Sequence, residues 1–273
     1  MPPEPLFRVR DLHLSLPDLG RKPLFGRAPQ IEILKGLDFE IPRGTITGIV
    51  GESGSGKSTL GRCLVRLHRP TQGEILFDGQ DIAGLDGPAL APLRRDLQMI
   101  FQDPMSSLNP RHRIGRIIRG PLEVNGLTGD IETRVADALR HARLSPEAAR
   151  RYPHQLSGGQ RQRVGIARAI ALRPRFILAD EIVSGLDVST QAQIITLLES
   201  LVEEMQLTMA FISHDLSVIR RLCSHVIVMQ GGKIVEQGET AAIFDAPQHP
   251  YTQALRDAIP LPEIDPDWLE AAQ

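Results

Sequence analysis

The chain has 273 residues, with 31 Lys and Arg against 33 Asp and Glu, which gives a formal net charge of −2. With 41% hydrophobic and 23% charged residues, the composition is that of a globular protein and excludes disordered, collagen-like and coiled-coil chains. No stretch reaches the roughly 18 apolar residues of a membrane span, and the N-terminus lacks the apolar segment of a secretory signal. Cys63 and Cys223 are too few for a disulfide framework, so we expect two buried thiols.

Alternating apolar residues in the N-terminal part predict strands at about 6–16 and 31–41, separated by a loop rich in Pro, Gly and Arg. An apolar strand at 45–50 then leads into a glycine cluster. The helix that follows has Leu60, Leu64 and Leu67 on one face. This order of strand, loop and helix is typical of a parallel α/β sheet.

The middle of the chain, from about residue 103, has helical segments that are interrupted by Pro and Gly. Helices are predicted at 113–119 and 131–142. Alternation of the α/β type then resumes, with helices predicted at 160–171, 189–205 and 216–222 and strands at 176–179, 208–212 and 226–229. We interpret this as one α/β core with a helical insertion, followed by a Pro-rich acidic tail.

Positive charge is concentrated in the helical insertion. Residues 103–175 contain 14 Arg, six acidic residues and no Lys. A basic segment of this kind can bind nucleic acid, but it lacks the interleaved aromatic residues of a base-stacking surface. We therefore predict a solvated, Arg-rich helical surface and no nucleic-acid partner.

The glycine cluster GESGSGKS at 51–58 matches the phosphate-binding pattern G-x-x-x-x-G-K-[ST]. Its glycines let the backbone turn and direct N–H groups at phosphate oxygens, and the next helix adds its positive end. Lys57 is predicted to reach the β- and γ-phosphates, and Ser58 to bind Mg²⁺. The predicted nucleotide contacts are Gly51, Glu52, Ser53, Gly54, Ser55, Gly56, Lys57, Ser58 and Thr59.

A pair of acidic residues follows the predicted strand at 176–179. Asp180 is predicted to hold Mg²⁺, as a Walker B aspartate does. Glu181 is placed to polarise an attacking water molecule as a general base. Adjacent carboxylates after a strand are common in turns, and it is the combination with the glycine cluster that indicates a nucleotide-hydrolysing site.

Residues 156–160 read LSGGQ and are followed by RQRVGIARAI, which resembles the signature segment of ATP-binding cassette (ABC) ATPases. Ser157 and the N–H groups of Gly158 and Gly159 would cap a helix and form a second anion site. The chain already contains a complete phosphate loop. The resemblance therefore implies that the signature residues contact the γ-phosphate held by another subunit; they are Ser157, Gly158, Gly159 and Gln160.

Other cassette elements occur in the order that the resemblance requires, from about residue 6 to 238. Gln102, in the sequence MIFQDP after a predicted strand, resembles the glutamine that joins Mg²⁺ and the attacking water. The sequence SGLD at 184–187 resembles the D-loop, and His214, at a strand end, resembles the switch histidine at the γ-phosphate. The resemblance therefore implies catalytic roles for Glu181, His214 and Gln102. It implies a metal site formed by Ser58, Gln102 and Asp180.

The fold implied by the resemblance is an α/β P-loop NTPase cassette with a parallel-sheet core, an antiparallel β subdomain and a helical insertion. We expect the cassette at 1–246, its insertion at about 103–160 and a tail at 247–273. The chain departs from the family pattern at Ile182, where proline is usual, and at Gly185, where alanine is common. The aromatic residue that stacks on adenine is missing near Ala28 and Pro29, and Phe25 is the nearby candidate.

Two further segments resemble the ATPase subunits of dipeptide, oligopeptide and nickel importers: FQDPMSSLNPR at 101–111 and HPYTQAL at 249–255. The resemblance implies an ATP-hydrolysing, energy-coupling subunit that uses ATP and Mg²⁺ at the cytoplasmic face of the inner membrane. Its partners would be a second ABC ATPase subunit, with a paralogue favoured over a homodimer, two transmembrane permease subunits and, indirectly, a solute-binding protein outside the membrane. Tyr251, Leu255 and Ile259, spaced at i, i+4 and i+8, predict a short amphipathic turn in this tail. The tail motif holds no group needed for phosphoryl transfer, so we expect its removal after Ala246 to preserve the ATP site while it weakens assembly or solute-linked regulation; the alternative is a tail that only stabilises the fold.

Two other functions fit parts of the pattern. Cassette ATPases of DNA repair or translation share every catalytic motif, but they usually carry a long coiled coil or a second cassette in tandem. A nucleotide-binding structural protein without turnover is disfavoured because Glu181, Gln102 and His214 are all present.

Overall fold

The computed structural model describes residues 4–18, 20, 26, 28–103, 107–127 and 129–258. The strands are β1 (Phe7–Pro17), β2 (Gln30–Ile41), β3 (Ile46–Val50), β4 (Gln72–Phe77), β5 (Gln80–Asp81), β6 (Leu97–Ile100), β7 (Phe176–Asp180), β8 (Thr208–Ile212), β9 (His225–Gln230) and β10 (Lys233–Glu239). The α-helices are α1 (Lys57–Leu64), α2 (Gly87–Leu90), α3 (Leu93–Asp96), α4 (Ile114–Val124), α5 (Ile131–His141), α6 (Gly158–Ile170), α7 (Val188–Met205), α8 (Leu216–Leu222), α9 (Thr240–Asp245) and α10 (Pro250–Asp257).

The strands form two sheets. An antiparallel sheet has the order β2-β1-β4-β5, and a six-stranded central sheet has the order β10-β9-β3-β8-β7-β6. Strands β9, β3, β8, β7 and β6 run parallel, and β10 pairs antiparallel with β9 at the edge. Because parallel strands end at the same edge, the segments after β3, β7 and β8 lie side by side. This architecture confirms the predicted α/β cassette fold.

The central sheet separates two hydrophobic cores. Successive strand residues face opposite sides, so that Ile177 and Ala179 enter a larger core and Phe176 and Leu178 enter a smaller one. The larger core is covered by α4 to α9, and the smaller core lies under α1 and the antiparallel sheet. Burial on both faces explains why the central strands read as continuous apolar runs rather than as alternating patterns.

The predicted elements are mostly confirmed, with two corrections. The helix after the glycine cluster ends at Leu64, so Leu67 lies beyond it and is exposed instead of sharing the buried face of Leu60 and Leu64.

The second correction lies in the helical insertion. The first insertion helix was expected to end at Arg119, but α4 continues through Pro121 to Val124. Proline removes one helical N–H group. The helix continues because Ile118 and Leu122 on either side are fully buried, and the Asn125 side chain donates a hydrogen bond of 2.8 Å to the Pro121 carbonyl. The elements β4, β5, β10, α2, α3 and α9 have no predicted counterpart.

The tail begins with a short helix rather than with extended chain. Tyr251 and Leu255, one turn apart, both pack on the larger core from α10, which confirms the short amphipathic segment predicted from their spacing. Ile259, the third residue of that pattern, lies outside the described residues. In the described part of the chain, no helix is both long and apolar enough to cross a membrane.

Candidate functional site

The glycine cluster forms a tight loop between β3 and α1, which we call the P-loop (residues 51–58). Gly51 has a φ of +145°, and a Cβ at this position would lie 2.1 Å from the Met229 carbonyl oxygen. Gly56, with a φ of +102°, precedes the first turn of α1 in a left-handed conformation. Such backbone angles favour glycine, and the first N–H groups of an α-helix have no partner within the helix, so those of α1 are available to an anion.

Lys57 is folded back into the P-loop. Its ammonium group donates hydrogen bonds to the carbonyl oxygens of Gly51 at 2.7 Å and Glu52 at 2.8 Å. Burial lowers the pKa of Lys57, whereas the carboxylates of Glu181 and Asp180 raise it. The ammonium group is therefore held by backbone oxygens that phosphate oxygens can replace.

Asp180, which is predicted to be the Walker B aspartate, contacts the P-loop directly. The Ser58 hydroxyl donates a hydrogen bond of 3.0 Å to Oδ1 of Asp180, at the end of β7. Burial raises the pKa of the Asp180 carboxyl, and the hydrogen bond from Ser58 opposes that rise. A hydroxyl and a carboxylate thus converge at the start of α1, and both are ligands that Mg²⁺ prefers.

Glu181 is positioned by three contacts from the ends of the two neighbouring strands, β6 and β8. Gln102, after β6, donates a hydrogen bond of 2.8 Å from Nε2 to Oε2 of Glu181. His214, after β8, places Nδ1 3.9 Å from Oε1 of the same carboxylate. The Glu181 backbone N–H donates to the Ile212 carbonyl at 3.0 Å. The three predicted catalytic side chains therefore meet at one edge of the central sheet.

The signature segment begins α6 and bonds to itself. The Gln160 N–H donates to the Ser157 hydroxyl at 3.3 Å, and the Ser157 N–H donates to the Gln160 side chain at 3.1 Å. A Cβ on Gly159 would lie 2.5 Å from Cγ2 of Thr190, so glycine lets α6 approach α7 closely. Among the described residues, no hydrogen bond joins the signature to the P-loop. The structure thus brings together all the predicted site residues except 157–160.

Two contacts to the P-loop were missed by the sequence interpretation. The Glu52 N–H donates a hydrogen bond of 2.8 Å to the hydroxyl of Tyr251 in α10, although the tail was expected to lie apart from the site. The Gly232 N–H, in the turn between β9 and β10, donates to the Ser55 carbonyl at 3.1 Å. Only the HPY segment offered a local signal for the first contact. Phe25, the candidate for adenine stacking, lies outside the described residues.

Two family models match the chain. The model described as "ABC transporter" matches residues 34–184, which is more than half of the chain. The model described as "Oligopeptide/dipeptide transporter, C-terminal region" matches residues 235–273. The second match starts before the tail boundary expected at 247, and that boundary stays a prediction.

Curated proteins that are similar to this chain are named as ATP-binding proteins of import systems. A "Putative peptide import ATP-binding protein" from Brucella ovis is 49% identical over 241 residues, which are 88% of this chain and 76% of the relative. The "Glutathione import ATP-binding protein GsiA" of Salmonella typhi is 50% identical over 261 residues, or 94% of this chain. This chain spans 42% of the length of that protein.

Solved structures share the whole cassette architecture. A dimeric bacterial ABC transporter cassette aligns with a TM-score of 0.74 at 31% identity, covering 86% of this chain and 98% of its own. The cassette cbiO1 from Clostridium perfringens, part of the transporter complex cbiONQ, aligns with a TM-score of 0.76 at 27% identity, covering 89% and 92% of the two chains. With the family models, the relatives and the assembled P-loop in agreement, the chain belongs to the ABC transporter family and is an ATP-binding cassette ATPase.

Proposed function

We propose that the chain is the ATP-hydrolysing, energy-coupling subunit of an ABC importer for peptides. The names of the Brucella and Salmonella relatives and the match of residues 235–273 to a peptide transporter region support this proposal. The nickel alternative has no support from the relatives described above. The same holds for a role in DNA repair or translation.

The observation that carries the proposed chemistry is the cluster of Gln102, Glu181 and His214. Glu181 acts as the general base on the attacking water, since its carboxylate lies beside the P-loop and is oriented by the 2.8 Å hydrogen bond from Gln102. His214, 3.9 Å from that carboxylate, contacts the γ-phosphate. Lys57 exchanges its two carbonyl partners for β- and γ-phosphate oxygens when a nucleotide enters.

Ser58, Asp180 and Gln102 fit a bound Mg²⁺ ion. Ser58 and Asp180 are already in contact, and Gln102 reaches the same edge of the sheet from the end of β6. Their hydroxyl, carboxylate and amide oxygens are ligands of the kind that Mg²⁺ prefers. When bound, the ion neutralises charge on the phosphates.

The second half of each ATP site comes from another cassette. Residues 157–160 lie at the N-terminal end of α6, where N–H groups and the helix dipole favour an anion, and Ser157 is exposed. The family relationship and the dimeric form of one solved relative support this arrangement. We propose a paralogous cassette as the partner, two permease subunits as the membrane anchor and a solute-binding protein as the source of the solute. The chain then lies at the cytoplasmic face of the inner membrane.

Replacing Glu181 with Gln tests the proposed base. Glu181→Gln keeps the shape of the side chain but removes the proton acceptor, so ATP binding persists while hydrolysis falls by about 100-fold or more, roughly 3 kcal/mol of barrier. ATP turnover is measured in the assembled transporter. Glu203→Gln, an exposed carboxylate on α7, is the matched control and keeps normal turnover. Normal turnover of Glu181→Gln would refute the role of Glu181.

A further inference from the structure

The N-terminal end of α10 is fixed to the edge of the central sheet. The Glu236 carboxylate on β10 accepts hydrogen bonds from the backbone N–H groups of Gln248 at 2.8 Å and His249 at 3.1 Å. The Tyr251 N–H in turn donates to Nδ1 of His249 at 3.1 Å. These bonds fix the first turn of α10, and with it the direction in which the Tyr251 side chain leaves the helix.

Tyr251 joins this helix to the P-loop. Its ring packs on the larger core beside Leu255, and its hydroxyl accepts the 2.8 Å hydrogen bond from the Glu52 N–H. Burial raises the pKa of the Tyr251 phenol; the hydrogen bond from the Glu52 N–H opposes that rise, and the Glu52 carboxylate adds to it. The hydroxyl is therefore neutral at physiological pH and remains an acceptor for the N–H group.

Glu52 is the point at which several bonds of the P-loop meet. Its carbonyl accepts the hydrogen bond from Lys57 and another from the Ser55 N–H at 3.2 Å, while its own N–H is held by Tyr251. The peptide groups on the two sides of Glu52 are thus tied to α10 and to the lysine that we place on the phosphates. A shift of Glu52 would move the carbonyl oxygen that accepts the hydrogen bond from Lys57. Lys57 must break this bond when a nucleotide binds.

We propose that Tyr251 is a positioning residue that holds the P-loop in its nucleotide-binding conformation and couples the C-terminal region to the ATP site. The inference rests on the proposed role of residues 51–59 in nucleotide binding. Without the hydroxyl, the Glu52 N–H bonds to water and the P-loop is less ordered in the free chain. Nucleotide binding must then order the P-loop, and this cost weakens the affinity for the nucleotide. Coupling is reciprocal, so a bound nucleotide also stabilises the attachment of α10.

Tyr251→Phe removes the hydroxyl and retains the ring, and it tests the proposal without disturbing the core. The dissociation constants for ADP and ATP rise about three- to tenfold, the range expected for one hydrogen bond. The kcat at saturating ATP, measured in the assembled transporter, stays within about twofold, because the lost bond contributes equally to the ground and transition states. Melting temperature is measured alongside.

The chain contains two tyrosines, which supplies both a control and a spectroscopic probe. Tyr152→Phe alters a hydroxyl that lies 3.5 Å from Nε of Arg113 in the helical insertion, and ADP affinity is unchanged. In protein labelled at tyrosine, ADP shifts the NMR signal of Tyr251 and leaves that of Tyr152 in place. ADP also slows hydrogen exchange in residues 250–257 of the wild-type chain, and slows it less in Tyr251→Phe.

Leu255→Ala separates positioning from mere stability, because it removes packing from the same helix and leaves the hydroxyl. It lowers the melting temperature more than Tyr251→Phe does and weakens ADP binding less. If the wild-type chain did not bind ADP, the proposed role of residues 51–59 in nucleotide binding would be contradicted, and with it the basis of the inference about Tyr251. If the wild type binds ADP while Tyr251→Phe binds it equally well, or no worse than Leu255→Ala does, the inference is overturned.

Discussion

Glu181 combines its proposed catalytic position with an unusual backbone conformation. Its φ of +50° lies in the left-handed region, which costs a non-glycine residue free energy. Hydrogen bonds hold it there: its N–H donates to Ile212, and its carbonyl accepts from the Ser184 hydroxyl at 2.7 Å. The fold itself therefore fixes the position from which this carboxylate leaves the chain. No sequence pattern predicts such a φ, because contacts between β7 and β8 impose it.

His13 is the residue for which we predict a pH-dependent contribution to stability. Its ring lies between two carboxylates, with Nδ1 2.7 Å from Glu32 and Nε2 3.0 Å from Asp11. The hydrogen bond with Glu32, and then that with Asp11, raises the pKa of His13 in the folded state above the ordinary value of 6.5. The protonated ring therefore stabilises the fold fully below that value, and this stabilisation is lost as the pH rises through the folded-state pKa.

The measurement compares His13→Gln with the wild-type chain by chemical unfolding between about pH 6 and about pH 9. The difference in unfolding free energy is largest at the acidic end and shrinks toward the alkaline end. His154→Gln, at an exposed histidine that stacks on Tyr152, is the control for replacing a surface histidine. A difference for His13→Gln that is constant across the range would contradict the ion-pair account.

At the scale of elements, α1 packs closely against the central sheet because residue 61 is glycine. A Cβ on Gly61 would be 2.7 Å from Cδ1 of Leu178 and 3.1 Å from Cδ1 of Ile212, both fully buried. Gly61→Ala therefore destabilises the chain by about 1–3 kcal/mol, although alanine is the better helix former. A Cβ on Gly165, in the interior of α6, meets no atom within 4 Å, so Gly165→Ala stabilises by up to about 1 kcal/mol. Stabilisation by both substitutions in urea unfolding would disprove this packing argument.

The sequence predicts those elements whose apolar pattern is local. The bounds 216–222 of α8 and 208–212 of β8 agree with the prediction, because the first is periodic and the second is buried on both faces. Strand β4 was missed because only Ile75 and Phe77 are buried in it, and its pairing with β1 joins segments far apart in the chain. Local rules also ended α4 too early, at Arg119, because tertiary packing outweighs the hydrogen bond that Pro121 removes.

At the scale of the whole molecule, the site is assembled from segments that the chain order separates. The P-loop could be recognised alone, because its glycine pattern directly follows an apolar strand. Asp180 and Glu181 also follow an apolar strand, but they indicate a nucleotide site only in combination with the P-loop. We could also expect these residues to lie close together, because parallel strands end at the same edge of the sheet. The bond between Glu52 and Tyr251 spans 199 residues and depends on how α10 packs, which no local pattern encodes.

The proposed cassette dimer makes its own prediction for Ser157. In this chain Ser157 caps α6 and bonds within the signature, so its proposed nucleotide is the one held by the partner cassette. Ser157→Arg therefore leaves the ADP dissociation constant of the isolated chain within about twofold of the wild-type value. The same substitution lowers ATP turnover in the assembled transporter on the order of 100-fold, the cost of losing donors at a developing charge.

Ser145→Arg is the matched control, since Ser145 also accepts a backbone hydrogen bond in the helical insertion, from the Glu147 N–H at 3.3 Å. It leaves both ADP affinity and turnover close to wild type. Calorimetric titration of the isolated variants with ADP shows whether the signature contacts the nucleotide of the partner cassette or that of its own chain. Loss of ADP affinity in a folded Ser157→Arg chain would mean that the signature serves the P-loop of its own chain, and the dimer model would have to be abandoned.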